Sequence, residues 1–305
     1  MTISRRRFLT TAASAVASTA VVSGARQSTG AAPNGKSVDL TRQVGITTSS
    51  IDAHVSSVGQ KGKIALVDLP KVMRDELDMH VIDLNTRTLG SVELKHVEQF
   101  RAAVESAECV VTNLKLNQRE LDLGHRDAEV RQRTMPEYRK CVDAAALLGA
   151  RWVRPYPSIE LPNMKHLVAG YRELAAYAHP RNVGLLVENY RWMESDPEAA
   201  TRLIHRIDRD VAASPDVGNW VNDEVRYAGL KQMFPLAATC DFKARKLGPN
   251  GEHELYDLRK CFQVGWDAGF HGPWCIEHAN PDRPQLIREL RQLRDMLRSW
   301  IDEQA

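Results

Sequence analysis

Four carboxylates in the second half of the chain stand where they could act together. Glu188, Asp216, Asp241 and Glu277 each close a short apolar run, at separations of 28, 25 and 36 residues. If these runs are consecutive strands of one closed sheet, their ends point toward a common centre. Like charges gathered in a partly dry site raise one another's pKa or bind a cation. An all-oxygen ligand set favours Mn²⁺ or Mg²⁺, with Zn²⁺ or Co²⁺ as further candidates.

Basic residues near the ends of these apolar runs allow an alternative to a metal site. Lys243 and Arg154 could neutralise part of the carboxylate cluster as fixed cations, without any metal. The two interpretations differ in whether an ion is needed, and both depend on elements that bring the four acids to one place.

Short apolar runs alternate with helical patterns from Val44 to the end of the chain. The runs predict strands at 44–46, 80–84, 109–112, 151–153, 184–188, 211–216, 238–242 and 273–277. The helical patterns cover 69–79, 95–107, 136–148, 167–178, 197–207, 224–233 and 258–268. An eighth helix is predicted by the steps of four and three that separate Leu286, Leu290, Leu293, Leu297 and Trp300.

The spacing of these elements predicts a (β/α)₈ TIM barrel that forms a single domain over 41–305. From Ile46 to Glu277 there are 231 residues for seven repeats, or 33 residues for each βα unit. Eight such units fit the roughly 250 residues that this barrel usually takes. A doubly wound open sheet is the alternative, but no GxGxxG follows the first strand, so we expect no nucleotide cofactor. In barrels the site lies at the carboxyl ends of the strands, where the acids stand.

Four sequence strings resemble the xylose-isomerase-like TIM barrels, the sugar isomerase/epimerase superfamily. They are LLVEN ending at Asn189, SPDVGN ending at Asn219, DFK ending at Lys243, and WCIEH ending at His278. The resemblance covers 44–305. It implies that Glu188, Asp216 and Glu277 bind one divalent metal, and that Glu188 and Glu277 also serve as acid and base. Lys243 matches the lysine of the family's H-x-K motif.

Two positions depart from the family pattern. Asp241 stands where the family has its strand-seven histidine, and Asn219 stands where epimerases often have another histidine. Asp241 could complete an all-carboxylate metal site, or it could pair with Lys243 and leave no metal. The Asp-x-Gly-Asn form is similar to that of an exported subgroup of these barrels.

The resemblance implies an enzyme that abstracts a proton next to a carbonyl of a small carbohydrate, with Glu188, Glu277 and Lys243 as catalytic residues. Epimerisation and aldose-ketose isomerisation are the expected outcomes. A sugar lyase of the same fold and a non-catalytic carbohydrate-binding barrel are the alternatives. The residues expected to bind the substrate, three of them aromatic side chains suited to stacking on a sugar, are Asn113, Lys115, Arg154, Tyr156, Asn189, Trp192, Asn219, Trp220 and His278.

The first 25 residues look like a twin-arginine export signal. Arg5, Arg6 and Arg7 precede a moderately apolar stretch that is shorter than a membrane-spanning helix, and small residues follow at 23–25. Residues 26–40 read as a flexible spacer. We expect a protein that is exported by the twin-arginine machinery to the periplasm or beyond, with no stable membrane anchor.

Charge and composition exclude several classes of function. Lys and Arg number 41 against 39 Asp and Glu, so no basic field would attract nucleic acid. Five cysteines without CxxC spacing argue against a disulfide framework or a zinc knuckle, and Cys240 and Cys275 are expected as small buried side chains. The sequence contains no GxSxG motif of the kind found in serine hydrolases.

Homo-oligomers are common among the barrels that the chain resembles.

Overall fold

Eight parallel strands form one curled sheet in the computed structural model, which describes residues 29–31, 37–248 and 251–304. The strands are β1 (Val44–Thr47), β2 (Val81–Asn85), β3 (Val110–Lys115), β4 (Trp152–Arg154), β5 (Gly184–Val187), β6 (Val211–Ala213), β7 (Cys240–Lys243) and β8 (Trp274–Glu277). They lie in the order β6-β5-β4-β3-β2-β1-β8-β7. Two isolated parallel bridges, Ala213 to Ala237 and Asp216 to Asp241, join β6 to β7. The predicted (β/α)₈ barrel is therefore confirmed.

A long helix follows each strand. The helices are α1 (Leu69–Leu77), α2 (Leu94–Ser106), α3 (Ala128–Leu147), α4 (Met164–Ala178), α5 (Ala199–Ile207), α6 (Asp223–Met233), α7 (Leu258–Asp267) and α8 (Arg283–Gln304). On α8 the predicted stripe of four leucines is fully buried, and each of them is 0% exposed. Trp300, the last residue of that stripe, packs against the core from the side.

Several predicted boundaries differ from the structure, and three of the differences have a clear local reason. Helix α3 begins eight residues before Pro136, because the Asp127 side chain caps the earlier start by accepting the Glu129 N–H (2.9 Å). Strand β3 continues to Lys115, since its last residues pair with both neighbouring strands. Strand β6 ends at Ala213, where the next residues include Pro215, which has no N–H to give to a sheet.

Aromatic and aliphatic side chains fill the layer between the sheet and the helices, and a separate small cluster lies at the amino end of the barrel. Trp274 on β8 is 0% exposed and packs against Phe234, Phe262 and Phe270 at centroid distances of 5.6, 5.0 and 4.9 Å. The amino-end cluster consists of Leu40, Val81, Val110 and Cys275. All five cysteines are buried and free, which confirms the expectation for Cys240 and Cys275.

The N-terminal segments are only partly described. The predicted signal over 1–25 lies outside the described residues. Within the predicted spacer over 26–40, Thr29–Ala31 and Ser37–Asp39 pair as short antiparallel strands, a regular element that the composition of this stretch did not predict. In the part of the chain that is described, none of the helices has the length and apolar character needed to cross a membrane.

Candidate active site

Parallel register carries the polar residues to one end of the barrel. Thr47 pairs with Asp83, Asp83 with Asn113, and Asn85 with Lys115, while Lys243 pairs with Glu277 across β7 and β8. The loop after β6 joins this end through backbone bonds, because the Asp241 N–H donates to Pro215 O (2.9 Å) and the Val217 N–H donates to Asp241 O (3.1 Å). The carboxyl end is therefore a closed ring of polar side chains.

Three of the four predicted metal ligands form a compact buried triad. Ligand oxygens of Glu188, Asp216 and Asp241 lie within 4.8 Å of one another, and all three residues are buried. Across residues 37–248 and 251–304, no other three acidic, histidine or cysteine side chains come together in this way. Glu277 is outside the triad, and Lys243 lies between its carboxylate and that of Asp216.

One lysine lies inside the barrel, below the triad. The Lys115 Nζ donates to Thr47 Oγ1 (2.9 Å), contacts the Asp241 carboxylate, and lies 3.3 Å from Asp83 Oδ2. Its side chain is 2% exposed. Burial alone would lower the pKa of Lys115, but Asp241 and Asp83 outweigh it and raise the pKa. Burial, together with the nearby charge of Asp241, raises the pKa of Asp83 to about 7 despite Lys115.

A second lysine lies nearer the mouth of the barrel, which is the solvent-exposed opening at the carboxyl ends of the strands. The Lys243 Nζ is 2.6 Å from Asp216 Oδ2 and 2.9 Å from Glu277 Oε1, and it donates to Asn219 Oδ1 (3.1 Å). The side chains of Lys243 and Glu277 are 14% and 24% exposed. Burial raises the pKa of Asp216 to about 7. Burial acts in the same direction on Glu277, but Lys243 overcomes it and the pKa of Glu277 lies below its ordinary value.

Arg154 is the third cation of the site. Its Nε lies 2.9 Å from Glu188 Oε2 without the alignment of a hydrogen bond, and its Nη2 donates to Asn117 Oδ1 (2.8 Å). The Asn219 Nδ2 donates to the other Glu188 oxygen (3.2 Å). Burial raises the pKa of Glu188 even with Arg154 beside it. The pKa of Glu188 is thus raised and the pKa of Glu277 is lowered.

The loop after β6 is held in shape by Asn189 and Gly218. The Asn189 amide donates to the carbonyls of Asp216 (2.9 Å) and Asn219 (3.2 Å) and accepts the Asp216 N–H (2.8 Å). A Cβ at Gly218 would stand 2.6 Å from the Tyr256 hydroxyl and 2.8 Å from Lys243 Cδ. Glycine at this position therefore leaves the space through which the Lys243 side chain reaches Asp216.

The remaining predicted ligands divide into two groups. Tyr156, which packs edge-on against Tyr190 (5.8 Å), and Asn113, whose buried amide atoms have no hydrogen-bond partner, lie at the ring of polar side chains. Trp220 packs on Gly229 of α6 and Trp192 packs against the core. Both ring nitrogens of His278 are engaged, by Ala244 O and Glu289 Oε2 (2.6 Å each), so neither is directed to a ligand.

Sequence reasoning placed Asp83 among the polar residues at the strand ends without giving it a role, and it did not select Thr47, Asn117 or Arg245, which all contact the site. Thr47 ends its strand, so strand position could have indicated it. Asn117 and Arg245 lie two residues beyond strands β3 and β7, where loop geometry decides which way a side chain points.

The triad is suited to a divalent cation by its free oxygens and by its charge. Asp241 Oδ2 and Glu188 Oε2 are buried without a hydrogen-bond donor. Five carboxylates, including Asp83 and Glu277, form ion pairs with three cations among the described residues of the site, Lys115, Arg154 and Lys243. Two formal negative charges remain, which a divalent ion or two protons would balance.

Comparisons with solved structures support the fold. A xylose isomerase-like TIM barrel protein from Mycobacterium smegmatis, solved in complex with magnesium, aligns with a TM-score of 0.60 and 16% identity over 85% of this chain and 97% of that one. D-psicose 3-epimerase from Clostridium cellulolyticum H10, solved with D-tagatose, aligns with a TM-score of 0.66 and 12% identity over 84% of this chain and 98% of that one. An AP endonuclease, family 2, from Brucella melitensis aligns with a TM-score of 0.57 and 13% identity over 77% of this chain and 92% of that one.

These identities show the fold alone, and the similar structures include both a sugar epimerase and an AP endonuclease. No curated protein matches the chain significantly. The family profile described as "Xylose isomerase-like TIM barrel" matches residues 76–300, which is most of the barrel. The chain therefore belongs to the xylose isomerase-like TIM barrel family.

Proposed function

We propose that this protein is a carbohydrate isomerase or epimerase that moves a proton next to a carbonyl, with Glu188 and Glu277 as the proton-transfer pair. The observation that carries the proposal is a chain of contacts between these two glutamates. Glu188 Oε1 accepts from Asn219 (3.2 Å), Asn219 accepts from Lys243 (3.1 Å), and Lys243 lies 2.9 Å from Glu277. Two carboxyl groups are thereby fixed at one mouth with one cation between them.

The two glutamates differ in the way that acid and base catalysis requires. Lys243 favours the ionised form of Glu277, which can accept a proton, whereas burial raises the pKa of Glu188, which therefore takes up a proton more readily than Glu277 as long as it is not bound to a metal. A carbon held between them could lose a proton on one face and gain one on the other. That outcome is epimerisation, and return of the proton to the neighbouring carbon is isomerisation.

A divalent cation, with Mn²⁺ or Mg²⁺ favoured over Zn²⁺ or Co²⁺, would be held by Glu188, Asp216 and Asp241. When bound, it supplies positive charge beside the carbonyl oxygen on which negative charge accumulates. Lys243 can donate a hydrogen bond in the same region from a side chain that is 14% exposed. Arg154 and Asn219 hold the Glu188 carboxylate from two sides.

Exchange of substrate hydrogen with solvent tests the proposal, because epimerisation and isomerisation both remove a proton next to the carbonyl. The full chain with Mn²⁺ is incubated with ketohexoses and aldoses in D₂O, and proton NMR follows deuterium at the carbon next to the carbonyl. We expect incorporation in the wild type, its loss in Glu188→Gln and Glu277→Gln, and its retention in Glu289→Gln, which changes a carboxylate outside the ring of polar side chains. The products distinguish epimers, isomers and the elimination products of a lyase.

A non-catalytic carbohydrate-binding barrel is the second candidate, and one observation favours it. Each of the five carboxylates of the site already lies against a lysine or arginine, so the charges are partly balanced without a metal. This function predicts saturable sugar binding with no deuterium incorporation in any sugar tested.

Export through the twin-arginine pathway is a separate part of the proposal. It is supported by the paired arginines at 5–7 and the apolar stretch after them. Fusing residues 1–25 to a reporter that is active only after export of the folded protein tests it. We expect export to stop when Arg5, Arg6 and Arg7 are all changed to Lys, and continued export would contradict the proposal. The protein would then meet its carbohydrate outside the cytoplasm, as a monomer or a homo-oligomer.

A further inference from the structure

Solvent reaches the site from the side of β7 and β8. Among the charged side chains of the ring, Glu277 (24%) and Lys243 (14%) are the most exposed, whereas Lys115 is 2% and Asp216 and Asp241 are 0% exposed. A substrate that approaches Glu277 therefore passes the residues that follow β7. The first charged residue beyond Lys243 is Arg245, which is exposed.

Arg245 is directed into the mouth and is poorly neutralised. Its Nη2 donates to Asn219 Oδ1 (3.2 Å), and no carboxylate of the described residues lies within ion-pair distance of its guanidinium. Its backbone N–H is bound separately by His253 Nε2 (2.9 Å), which fixes the start of the loop. Most of the five N–H donors of this guanidinium remain available to a ligand.

Two cations converge on one neutral oxygen at this point. Lys243 Nζ (3.1 Å) and Arg245 Nη2 (3.2 Å) both donate to Asn219 Oδ1. Lys243 has the carboxylates of Asp216 and Glu277 as partners, but an amide oxygen carries no charge to balance Arg245. Once a divalent ion balances the inner carboxylates, Arg245 is the uncompensated charge of the mouth, and it attracts anions.

We propose that the carbohydrate acted on here carries an anionic group, and that Arg245 binds this group. The inference rests on the proposed function, because it assigns the substrate class of the same site. A guanidinium binds a carboxylate or a phosphate through two parallel hydrogen bonds. The anionic group is held at the rim, so the reacting carbon lies deeper, between Glu277 and Glu188. Arg245 is a specificity-determining residue, and the proton-transfer groups are unchanged.

Matched sugar pairs test the inference by calorimetry on the full chain, with and without Mn²⁺. The probes are D-glucuronate against D-glucose and D-galacturonate against D-galactose, each pair differing only at C6. A hydrogen bond between charged groups corresponds to roughly tenfold or more in the dissociation constant, so we expect the acid of at least one pair to bind about tenfold tighter. D-Glucose 6-phosphate separates phosphate recognition from carboxylate recognition, since the tighter ligand identifies the source of the anion.

Variants at Arg245 identify the residue responsible. We expect Arg245→Met to reduce the acid preference to near unity and Arg245→Lys to retain part of it, because the charge remains and the two-pronged geometry is lost. Arg209→Met is the matched control, an exposed arginine on the α5 to β6 connection at the other end of the barrel. Thermal unfolding of each variant establishes that it is folded.

The possible outcomes separate this inference from the proposed function. Equal binding within both pairs, undetectable binding of both uronates and the phosphate, or an acid preference that survives Arg245→Met would overturn the inference. Deuterium exchange in neutral sugars without any acid preference would leave the proposed function standing and the inference refuted. An acid preference that depends on Arg245, without deuterium exchange in any sugar, would support the inference about Arg245 and refute the proposed function.

Discussion

The two lysines of the barrel mouth make similar contacts in different surroundings. Lys115 bridges Asp83 and Asp241 below the triad, and Lys243 bridges Asp216 and Glu277 at the rim. The side chain of the first is 2% exposed and that of the second is 14% exposed. In a region without water, a lysine mainly compensates charge that the fold cannot leave unpaired. Where water and substrate enter, the same pairing can be exchanged for contacts with a ligand.

Removing the two cations should therefore have unequal effects on stability. Lys115→Met leaves the carboxylates of Asp83 and Asp241 buried beside each other, and breaking a buried pair in this way typically costs about 3–5 kcal/mol. We expect a loss of that order in the free energy of unfolding at pH 8, measured by urea denaturation. Lys243→Met should cost clearly less, because water can solvate Glu277 and the Gly218 N–H still donates to the Asp216 carboxylate (2.7 Å). Equal losses for the two variants would contradict the distinction between inner and rim lysines.

The buried Asp83 should also make stability depend on pH. Its pKa is about 7 in the folded protein against an ordinary 3.8, so the folded state retains a proton that the unfolded state releases. This contribution is fully present below about pH 4, and it is lost as the pH rises through about 7. Asp83→Asn should abolish the contribution of Asp83 and leave that of Asp216, whose pKa is also raised to about 7. Between pH 4 and pH 8 we expect the variant to gain roughly 4 kcal/mol relative to the wild type, since one pKa unit corresponds to about 1.4 kcal/mol.

Urea denaturation at several pH values measures this difference. Asp302→Asn, a change at an exposed position of α8, is the control and should follow the wild type at every pH. A difference between wild type and Asp83→Asn that is the same at pH 4 and pH 8 would show that Asp83 does not hold its proton in the folded state.

A smaller effect is expected where the rim lysine passes the loop after β6. Gly218→Ala places a methyl group 2.6 Å from the Tyr256 hydroxyl and 2.8 Å from Lys243 Cδ, and such overpacking costs about 1–3 kcal/mol. In a Tyr256→Phe background one of the two clashes is gone, so the cost of the alanine should fall by about 1 kcal/mol. A double-mutant cycle in urea measures the coupling. A coupling of zero would mean that the loop moves away from both side chains.

The sequence predicted the barrel well because each βα unit repeats a local pattern. The stripe of leucines on α8 and the apolar runs of β5 and β8 depend only on periodicity and burial. Boundaries were less certain where a cap or a proline decides them. Asp127 starts α3 ahead of Pro136, which periodicity placed at the helix start, and the proline at 215 ends β6 early.

The site was predictable as a set of strand-end carboxylates, but its pairing was not. Strand position indicated Glu188, Asp216, Asp241 and Glu277, and three of them form the triad. Lys115 was expected to bind substrate, whereas it lies against Asp83 and Asp241. Sequence spacing gives no information about which cation crosses the barrel to which acid, since that depends on strand register and on side-chain length. Loop residues such as Arg245 were missed for the same reason.

The account depends most on whether the triad holds a divalent ion, and titration of the metal-free full chain with Mn²⁺ tests that directly. We expect about one Mn²⁺ per chain by calorimetry and elemental analysis, because the three carboxylates of the triad lie within reach of one ion and two of their buried oxygens accept no hydrogen bond. The double variant Glu188→Gln, Asp241→Asn should lose this binding, and Glu289→Gln should keep it. A folded wild type that binds no Mn²⁺, Mg²⁺, Zn²⁺ or Co²⁺, or a double variant that binds as well as the wild type, would contradict the metal site.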